Sequence, residues 1–371
     1  MNAVMDDDHE ELRQMVRRFC VEKSSEMEVR RLMESDEGYD PAVWMQMATQ
    51  LGLQGIGIAE EYGGSGADQV ALSVVFEEMG RALLCAPYFS TVALAANLLT
   101  ASGDETAMKD YLPAIAAGEM IATVALAERA GSWGQDGISL QASGGPDSWT
   151  LTGGKSLVLD AGIADLILVV ARTSVGISVF AVDKNAEGLV VDMLQTLDRT
   201  RRQARLTFQS TPARLVGSDG EGWAAVARML DLAAVSLAAE QLGGARQVLE
   251  SAIGYAKNRI QFGKTIGSFQ VIKHKCAELY VAVEAAKASV SQASWAVATE
   301  NEDLRGMVNL AKSYCSEVYF RVAAENIQIH GAIGFTWEHP AHLYFKRAKS
   351  SELLFGAPAY HRELLAERIG V

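Results

Sequence analysis

The chain has 371 residues, more than a single hydrophobic core readily fills, so two or three packed units are expected. Its composition, 49% hydrophobic and 21% charged, lies far from the polar signature of disorder, and a formal net charge of -13 argues against a nucleic-acid surface, which needs clustered Lys and Arg. An acidic balance still leaves room for an anionic ligand held by a few local cations and helix N-termini.

The opening Met-Asn-Ala-Val-Met-Asp-Asp-Asp is acidic where a signal peptide would be basic and apolar. No apolar run approaches the roughly 20 residues of a membrane span, so a cytoplasmic chain without a membrane partner is expected. The aspartates suit an N-cap, and Leu12, Met15, Val16 and Phe19 then recur at i, i+3, i+4, i+7 on one helical face. Further helices are expected at 41–52, 68–83, 90–102 and 105–117, punctuated by Tyr62-Gly63-Gly64-Ser65-Gly66, which makes residues 1–119 an all-helical domain.

From Ile121 the texture changes to short β-branched or apolar runs: Ile121 to Leu126, Trp149 to Thr152, Asp165 to Ala171, Ile177 to Val182, Leu189 to Val191 and Ala204 to Phe208. Turn-forming clusters at Gly144-Gly145-Pro146, Gly153-Gly154 and Asp183-Lys184-Asn185 divide them, and a compact antiparallel β domain over 120–217 follows. Residues 218–371 return to long Ala-rich helices near 223–258, 268–299, 303–332 and 340–368, a four-helix bundle whose apolar faces can serve subunit contacts. Cys20, Cys85, Cys276 and Cys315 lie far apart, with neither CxxC spacing nor zinc-spaced histidines, so neither disulfides nor a metal site is expected.

The most specific segment is Tyr255-Ala-Lys-Asn-Arg259-Ile-Gln-Phe262-Gly263-Lys-Thr-Ile-Gly267-Ser-Phe269-Gln270. By itself, Arg259 is a cation near a helix C-terminus and 262–267 a loop with a hydrophobic plug. A second segment is Gln328-Ile329-His330-Gly331-Ala-Ile-Gly334-Phe335, whose glycines permit a close backbone approach and whose His330 alone reads as a core histidine. A third, Gly55-Ile-Gly-Ile-Ala-Glu60-Glu61-Tyr62-Gly63-Gly64-Ser-Gly66, reads as tight turns rather than a phosphate cradle. With Leu112-Pro113 and Gly118-Glu119 before a strand, these segments and their α, β, α order make the chain resemble the acyl-CoA dehydrogenase family along nearly its whole length.

That resemblance implies an FAD enzyme in which a carboxylate removes the α-proton of an acyl-CoA thioester while hydride leaves the β-carbon for the flavin. It also implies that Arg259, Phe262, Gln270 and the run Gln328, Ile329, His330 and Gly331 reach the pyrophosphate and adenosine half of a neighbouring subunit's FAD. A guanidinium fork suits phosphate oxygens. The usual base lies in a Tyr-Glu-Gly-Thr-x-Gln run, and the matching residues here are Leu354-Phe355-Gly356-Ala357-Pro358-Ala359, with Phe355 at the Glu position. The alternative base, in a Leu-Asp-x-Glu-Arg run, matches Leu230-Asp231-Leu232-Ala233-Ala234, with Ala233 at the Glu position. Neither side chain accepts a proton, and Asp231 and Glu240 are the nearby carboxylates left as candidates.

The flavin-ring side departs as well. The family's Thr-Glu-Pro-x-x-Gly-Ser-Asp strand end matches Ala127-Glu128-Arg129-Ala130-Gly131-Ser132-Trp133-Gly134, and its Trp-x-Thr matches Leu157-Val158-Leu159. Ala357 and Ala359 stand where the family has Thr and Gln. Elements serving a chain's own flavin are thus lost, while those offered to a neighbour remain. This asymmetry is similar to the paired (α2β2) acyl-CoA dehydrogenases of actinobacterial steroid side-chain catabolism, in which a homologous catalytic chain would be the partner and an electron-transfer flavoprotein or similar protein the acceptor. Three other readings stay open: a homotetrameric dehydrogenase with an unrecognised base, an oxidase or monooxygenase of the same fold, and a structural or regulatory subunit without flavin.

Overall fold

The computed structural model describes residues 7–129, 131–145 and 148–371. The first residues of the acidic opening, Ala130 of the segment 127–134, and Pro146 of the expected turn lie outside the described residues. Helices α1 (Asp7–Lys23), α2 (Glu26–Glu34), α3 (Pro41–Thr49), α4 (Gln69–Arg81), α5 (Asn97–Ser102) and α6 (Glu105–Ala116) precede the sheet. After it come α7 (Trp223–Asn258), α8 (Gln270–Ala298), α9 (Leu304–His330), α10 (Ala341–Leu353) and α11 (Pro358–Ile369). The order is helical, then β, then helical, as the residue texture indicates. By contact the chain forms two compact units, one of residues up to Arg31, 68–84 and 234–371, the other of 32–67 and 85–233.

In the first unit, α1 buries Val16 and Phe19 of the stripe read in the sequence, with Cys20 beside them, and leaves Leu12 and Met15 half-buried. Asp68 caps α4, its carboxylate accepting from the N–H groups of Val70 and Ala71 at 2.9 and 3.0 Å. Helices α4 and α7 touch backbone to backbone. A Cβ at Gly80 would stand 2.1 Å from the Glu240 carbonyl oxygen, and one at Gly243 would stand 1.8 Å from that of Glu77. Glycine is required on both helices because any side chain would drive them apart. The single helix expected over 340–368 is instead two, α10 and α11. Phe355 and Gly356 take positive φ (+59° and +113°), and Pro358 then opens α11 with φ already preset for a first helical turn.

The second unit holds α3, α5, α6 and the sheet: β1 (Ala122–Ala125), β2 (Gln141–Gly145), β3 (Ser148–Leu159), β4 (Leu166–Arg172), β5 (Ile177–Asp183), β6 (Leu189–Met193) and β7 (Gln203–Val216). Most pairings are antiparallel, but β1 runs parallel to β4, with Thr123 beside Ile167. The chain crosses from β1 through β2 and β3 before β4 returns alongside β1 in the same direction, so the sheet is mixed rather than wholly antiparallel. Strand β4 pairs with both β2 and β5, which closes the sheet on itself through β3 and β7.

Gly153-Gly154, expected as a turn, lies inside β3. The ladder with β7 slips by one residue between Leu151 and Thr152, where Ser210 of β7 (φ +53°) is the extra residue, while Gly153 and Gly154 pair with Phe208 and Thr207; a Cβ on Gly153, at φ +140°, would stand 3.1 Å from Leu140, so that glycine serves a close approach. The 55–66 loop is a set of tight turns: Ser65 N–H donates to the Gly55 carbonyl at 3.0 Å and Gly66 N–H to that of Ile58 at 2.8 Å. Among the described residues no helix is long and apolar enough to cross a membrane, no group of His, Cys, Asp and Glu could hold a metal ion, and no cysteine is in a disulfide.

Candidate functional site

Helix α7 ends at Asn258, and the segment read as a turn forms a small hairpin, β8 (Ile260–Gln261) with β9 (Lys264–Thr265). Its two loop residues, Phe262 and Gly263, take φ +53° and +76°, the pattern of a type I′ turn. Glycine does so freely, whereas phenylalanine pays about 1–3 kcal/mol of backbone strain. The Phe262 ring is nevertheless 92% exposed, approaching Phe269 edge-on with 6.3 Å between ring centroids. Arg259 is also exposed. Its backbone is engaged, N–H to the Tyr255 carbonyl and carbonyl from the Ile266 N–H, each at 2.8 Å. Among the described residues its guanidinium has no hydrogen-bond or ion-pair partner. Gln270, the first residue of α8, is exposed as well.

A small core of Ala252, Ala256 and Ile329, with Tyr255, Ile266 and Ile272 against it, ties the end of α7, the start of α8 and the end of α9 together. It brings Arg259, Gln270 and the 328–331 run to one end of this unit. Within that run Ile329 and His330 point inward. The His330 ring stacks on Tyr255 and on His339, centroids 4.3 Å apart in each case, and its Nδ1 lies 2.8 Å from the Asn326 carbonyl oxygen. Their side chains belong to the core, which leaves only their main chain for a ligand. Gln328 and Gly331 face outward. Gly331 has φ +69° and ψ -145°, a conformation open to glycine almost alone, and nothing lies within 4 Å of its missing Cβ.

The turn carrying Phe355 is clamped from inside the same unit. Lys312 is fully buried, and its Nζ donates to the carbonyls of Gly356 (3.1 Å) and Glu352 (3.3 Å) and to Ser316 Oγ (3.0 Å). His361 Nε2 lies 3.1 Å from the Phe355 carbonyl oxygen, and its Nδ1 2.8 Å from Oδ1 of Asn309. Burial, with Lys312 nearby, pushes the imidazole down to about 3, so it is neutral at pH 7. Neither Lys312 nor His361 stands out in the sequence, since a lysine inside an Ala-rich helix reads as a solvated face.

Burial likewise pushes the Lys312 ammonium down from 10.5 to about 7. Between those values the unfolded chain binds more protons than the folded one, so this group makes stability rise with pH from about 7 to 10.5, and contributes no slope below 7. The expected slope approaches about 1.4 kcal/mol per pH unit mid-window. Lys312→Met should lack it, and urea midpoints of both chains at pH 7, 8 and 9 test this. Parallel pH dependence in the two would show that the ammonium is not desolvated.

The candidate carboxylates differ in their surroundings. Glu240 is buried and ion-paired to buried Arg347 at 3.1 Å, which commits its charge to the core. Asp231 is half-buried, while Ala233 and Phe355 are buried, at 0% and 6% exposure. In the second unit, the retained Glu128 is saturated. It accepts from Lys155 Nζ at 2.8 Å and from the N–H groups of Ser139 and Leu140 at 2.9 Å each. Lys155 is fully buried, and burial, opposed by Glu128, leaves its ammonium lowered to about 8. This pair braces the end of β1 against β3 and was not singled out in the sequence. Leu157 has φ +57° and is 39% exposed, and Leu159 is buried. No side-chain donor stands at either position.

Three family descriptions cover the chain in order: acyl-CoA dehydrogenase N-terminal domain over residues 6–119, middle domain over 123–211 and C-terminal domain over 220–370. The chain belongs to the acyl-CoA dehydrogenase family, whose members are flavin-dependent oxidoreductases. It is 34% identical over 291 residues to acyl-CoA dehydrogenase IpdE2 of Mycobacterium tuberculosis, covering 78% of this chain and 76% of that one. Among solved structures it resembles a variant of the Tcur3481-Tcur3483 steroid acyl-CoA dehydrogenase, at TM-score 0.89 and 30% identity over 98% of each chain. It also resembles the ChsE4-ChsE5 complex of Mycobacterium tuberculosis, at TM-score 0.91 and 26% identity over 100% of this chain and 99% of that one.

The residues present fit one half of FAD. An unpartnered guanidinium, an exposed amide at a helix start and a glycine backbone with open space around it suit a pyrophosphate and its adenosine. They do not fit the other half in the same chain, because Leu157, Leu159, Ala357 and Ala359 offer the isoalloxazine no side-chain hydrogen bond.

Proposed function

We propose that this chain is the subunit of a heteromeric acyl-CoA dehydrogenase that carries no catalytic base. In this reading Arg259, Phe262, Gln270, Gln328 and the backbone at 329–331 hold the pyrophosphate and adenosine half of an FAD whose ring sits in a homologous partner subunit. The partner supplies the carboxylate, and an electron-transfer flavoprotein or similar protein takes the electrons. The observation that carries the reading is the one-sidedness of the site. Arg259, Gln270 and Gln328 are exposed and have no side-chain hydrogen-bond or ion-pair partner among the described residues, while both base positions are apolar and buried.

The substrate class we favour is the CoA ester of a steroid side chain, supported by the steroid acyl-CoA dehydrogenase named among the similar structures. Its name, like that of the ChsE4-ChsE5 complex, joins two proteins, which supports a two-chain assembly. We place the enzyme in the cytoplasm and divide the chain functionally into 1–119, 120–217 and 218–371, the last carrying the shared flavin contacts.

Expressed alone, the chain should purify with little FAD and show no acyl-CoA dependent dye reduction; co-expression with its partner should restore both. Phe355→Glu in the lone chain should also give no turnover, because a carboxylate there lacks a flavin ring to work with, and its burial should cost about 1–3 kcal/mol. A stoichiometric flavin spectrum with turnover from the lone chain would point instead to a self-sufficient homotetramer.

A further inference from the structure

A cavity of about 420 Å³ lies within the first unit, walled by α1, the start of α2, the end of α4, α7, α9 and α10. It contains none of the residues assigned above to flavin. Its volume falls in the range of pockets that take small organic molecules. The charges around it are already matched. Arg17 binds Glu78 through two bonds, at 2.7 and 2.8 Å, Arg81 binds Glu250, and Glu26 holds Arg30 at 2.8 Å. An ionic ligand would have to break one of these pairs.

What remains unmatched in the wall is neutral. Gln247 and Ser251 lie one helical turn apart on α7, and neither makes a side-chain hydrogen bond to another described residue. Asn326 is 1% exposed, and its Oδ1 is buried without a partner, the kind of group that native interiors rarely leave unpaired. The hydroxyls of Ser24 and Tyr344 are already donated to the carbonyls of Ala82 and Arg81, and most of the remaining wall is apolar, including Val21, Val29, Leu83, Val248 and Leu343. Leu83 holds φ +48° there, a strained backbone for a residue that is 2% exposed.

We propose that this cavity binds a neutral amphiphile, its apolar body against Val29, Leu83, Val248 and Leu343 and its hydroxyl or carbonyl end on Gln247 and Ser251. Matched charges disfavour an acid, and unpaired neutral groups reward a hydrogen-bonding end. The site is independent of the flavin contacts and stands or falls apart from the subunit reading.

The test uses the full chain and two probes of equal length, 1-octanol and octanoate, followed by saturation-transfer NMR. 1-Octanol should bind at least about tenfold more tightly than octanoate. Gln247→Leu combined with Ser251→Ala should weaken 1-octanol about tenfold, the loss of one to two neutral hydrogen bonds. Val21, at the mouth and 73% exposed, gives a variant that leaves the core intact: Val21→Trp should obstruct entry and abolish the 1-octanol signal. Equal binding of the two probes, 1-octanol binding unchanged in both variants, or no 1-octanol signal up to its solubility limit would each overturn the proposal.

Discussion

Arg259→Ala in the co-expressed complex is expected to weaken FAD binding by about one to two orders of magnitude, because a charge-assisted contact to phosphate contributes about 1.5–3 kcal/mol. Among the described residues the guanidinium has no partner, so its removal leaves none of them unpaired. Bound FAD and activity should fall together, and excess FAD should restore part of the activity, since in the proposed assembly the base and ring pocket lie on the partner. Arg259→Lys should recover less than its charge implies, because an ammonium lacks the bidentate fork. If Arg259 merely caps the end of α7, thermal stability would change while flavin content stayed full. An unaltered FAD dissociation constant on titrating the apo complex would sink the shared-site reading.

Arg347→Met should destabilise the folded chain by about 3–5 kcal/mol, since it leaves the Glu240 carboxylate buried without its cation. Both side chains of this pair are nearly inaccessible, at 5% and 8% exposure, so solvent screens the charge poorly. Glu240→Leu with Arg347→Met should recover most of the loss, because an apolar pair of similar volume removes the desolvation cost along with the attraction. Denaturant unfolding of the three proteins decides it; a single variant as stable as the parent would mean the pair is solvated. The same residues separate structure from chemistry. Glu240→Gln should lower stability but leave turnover per folded complex unchanged, whereas loss of turnover without loss of stability would reinstate Glu240 as a base.

The fold was legible where the sequence is periodic. Leu12 to Phe19 gave α1, because burial of one face imposes its own spacing, and the β-branched runs gave the positions of β1, β4, β5 and β6, the first three as short continuous apolar runs buried on both faces. It was less legible where glycine and proline serve tertiary ends. Gly153-Gly154 has the composition of a turn but lies inside β3, paired with β7, and 340–368 has the composition of one helix but breaks at Phe355 and Gly356. In both cases the deciding contact comes from residues distant in the chain: Leu140 packs where a Cβ on Gly153 would stand, and Lys312 and His361 hold the turn.

For the site, the sequence by itself determined which chemistry is absent. Phe355 and Ala233 cannot take a proton, and Leu157 and Leu159 cannot donate a hydrogen bond, whatever the fold, because those limits belong to the side chains. The roles of Arg259, Phe262 and Gln270 come instead from the family resemblance and remain part of the proposal. Only the tertiary structure decided that Arg259 has no partner among the described residues, that Phe262 is held outward on a strained I′ turn, that Ile329 joins His330 in the core, and that Glu240 is committed to Arg347. Partnership and burial depend on residues dozens to more than a hundred positions apart, such as 240 and 347 or 312 and 356. Local sequence carries no signal for them, because the same Glu or Lys on a helix is a solvated charge or a buried clamp according to what packs against it.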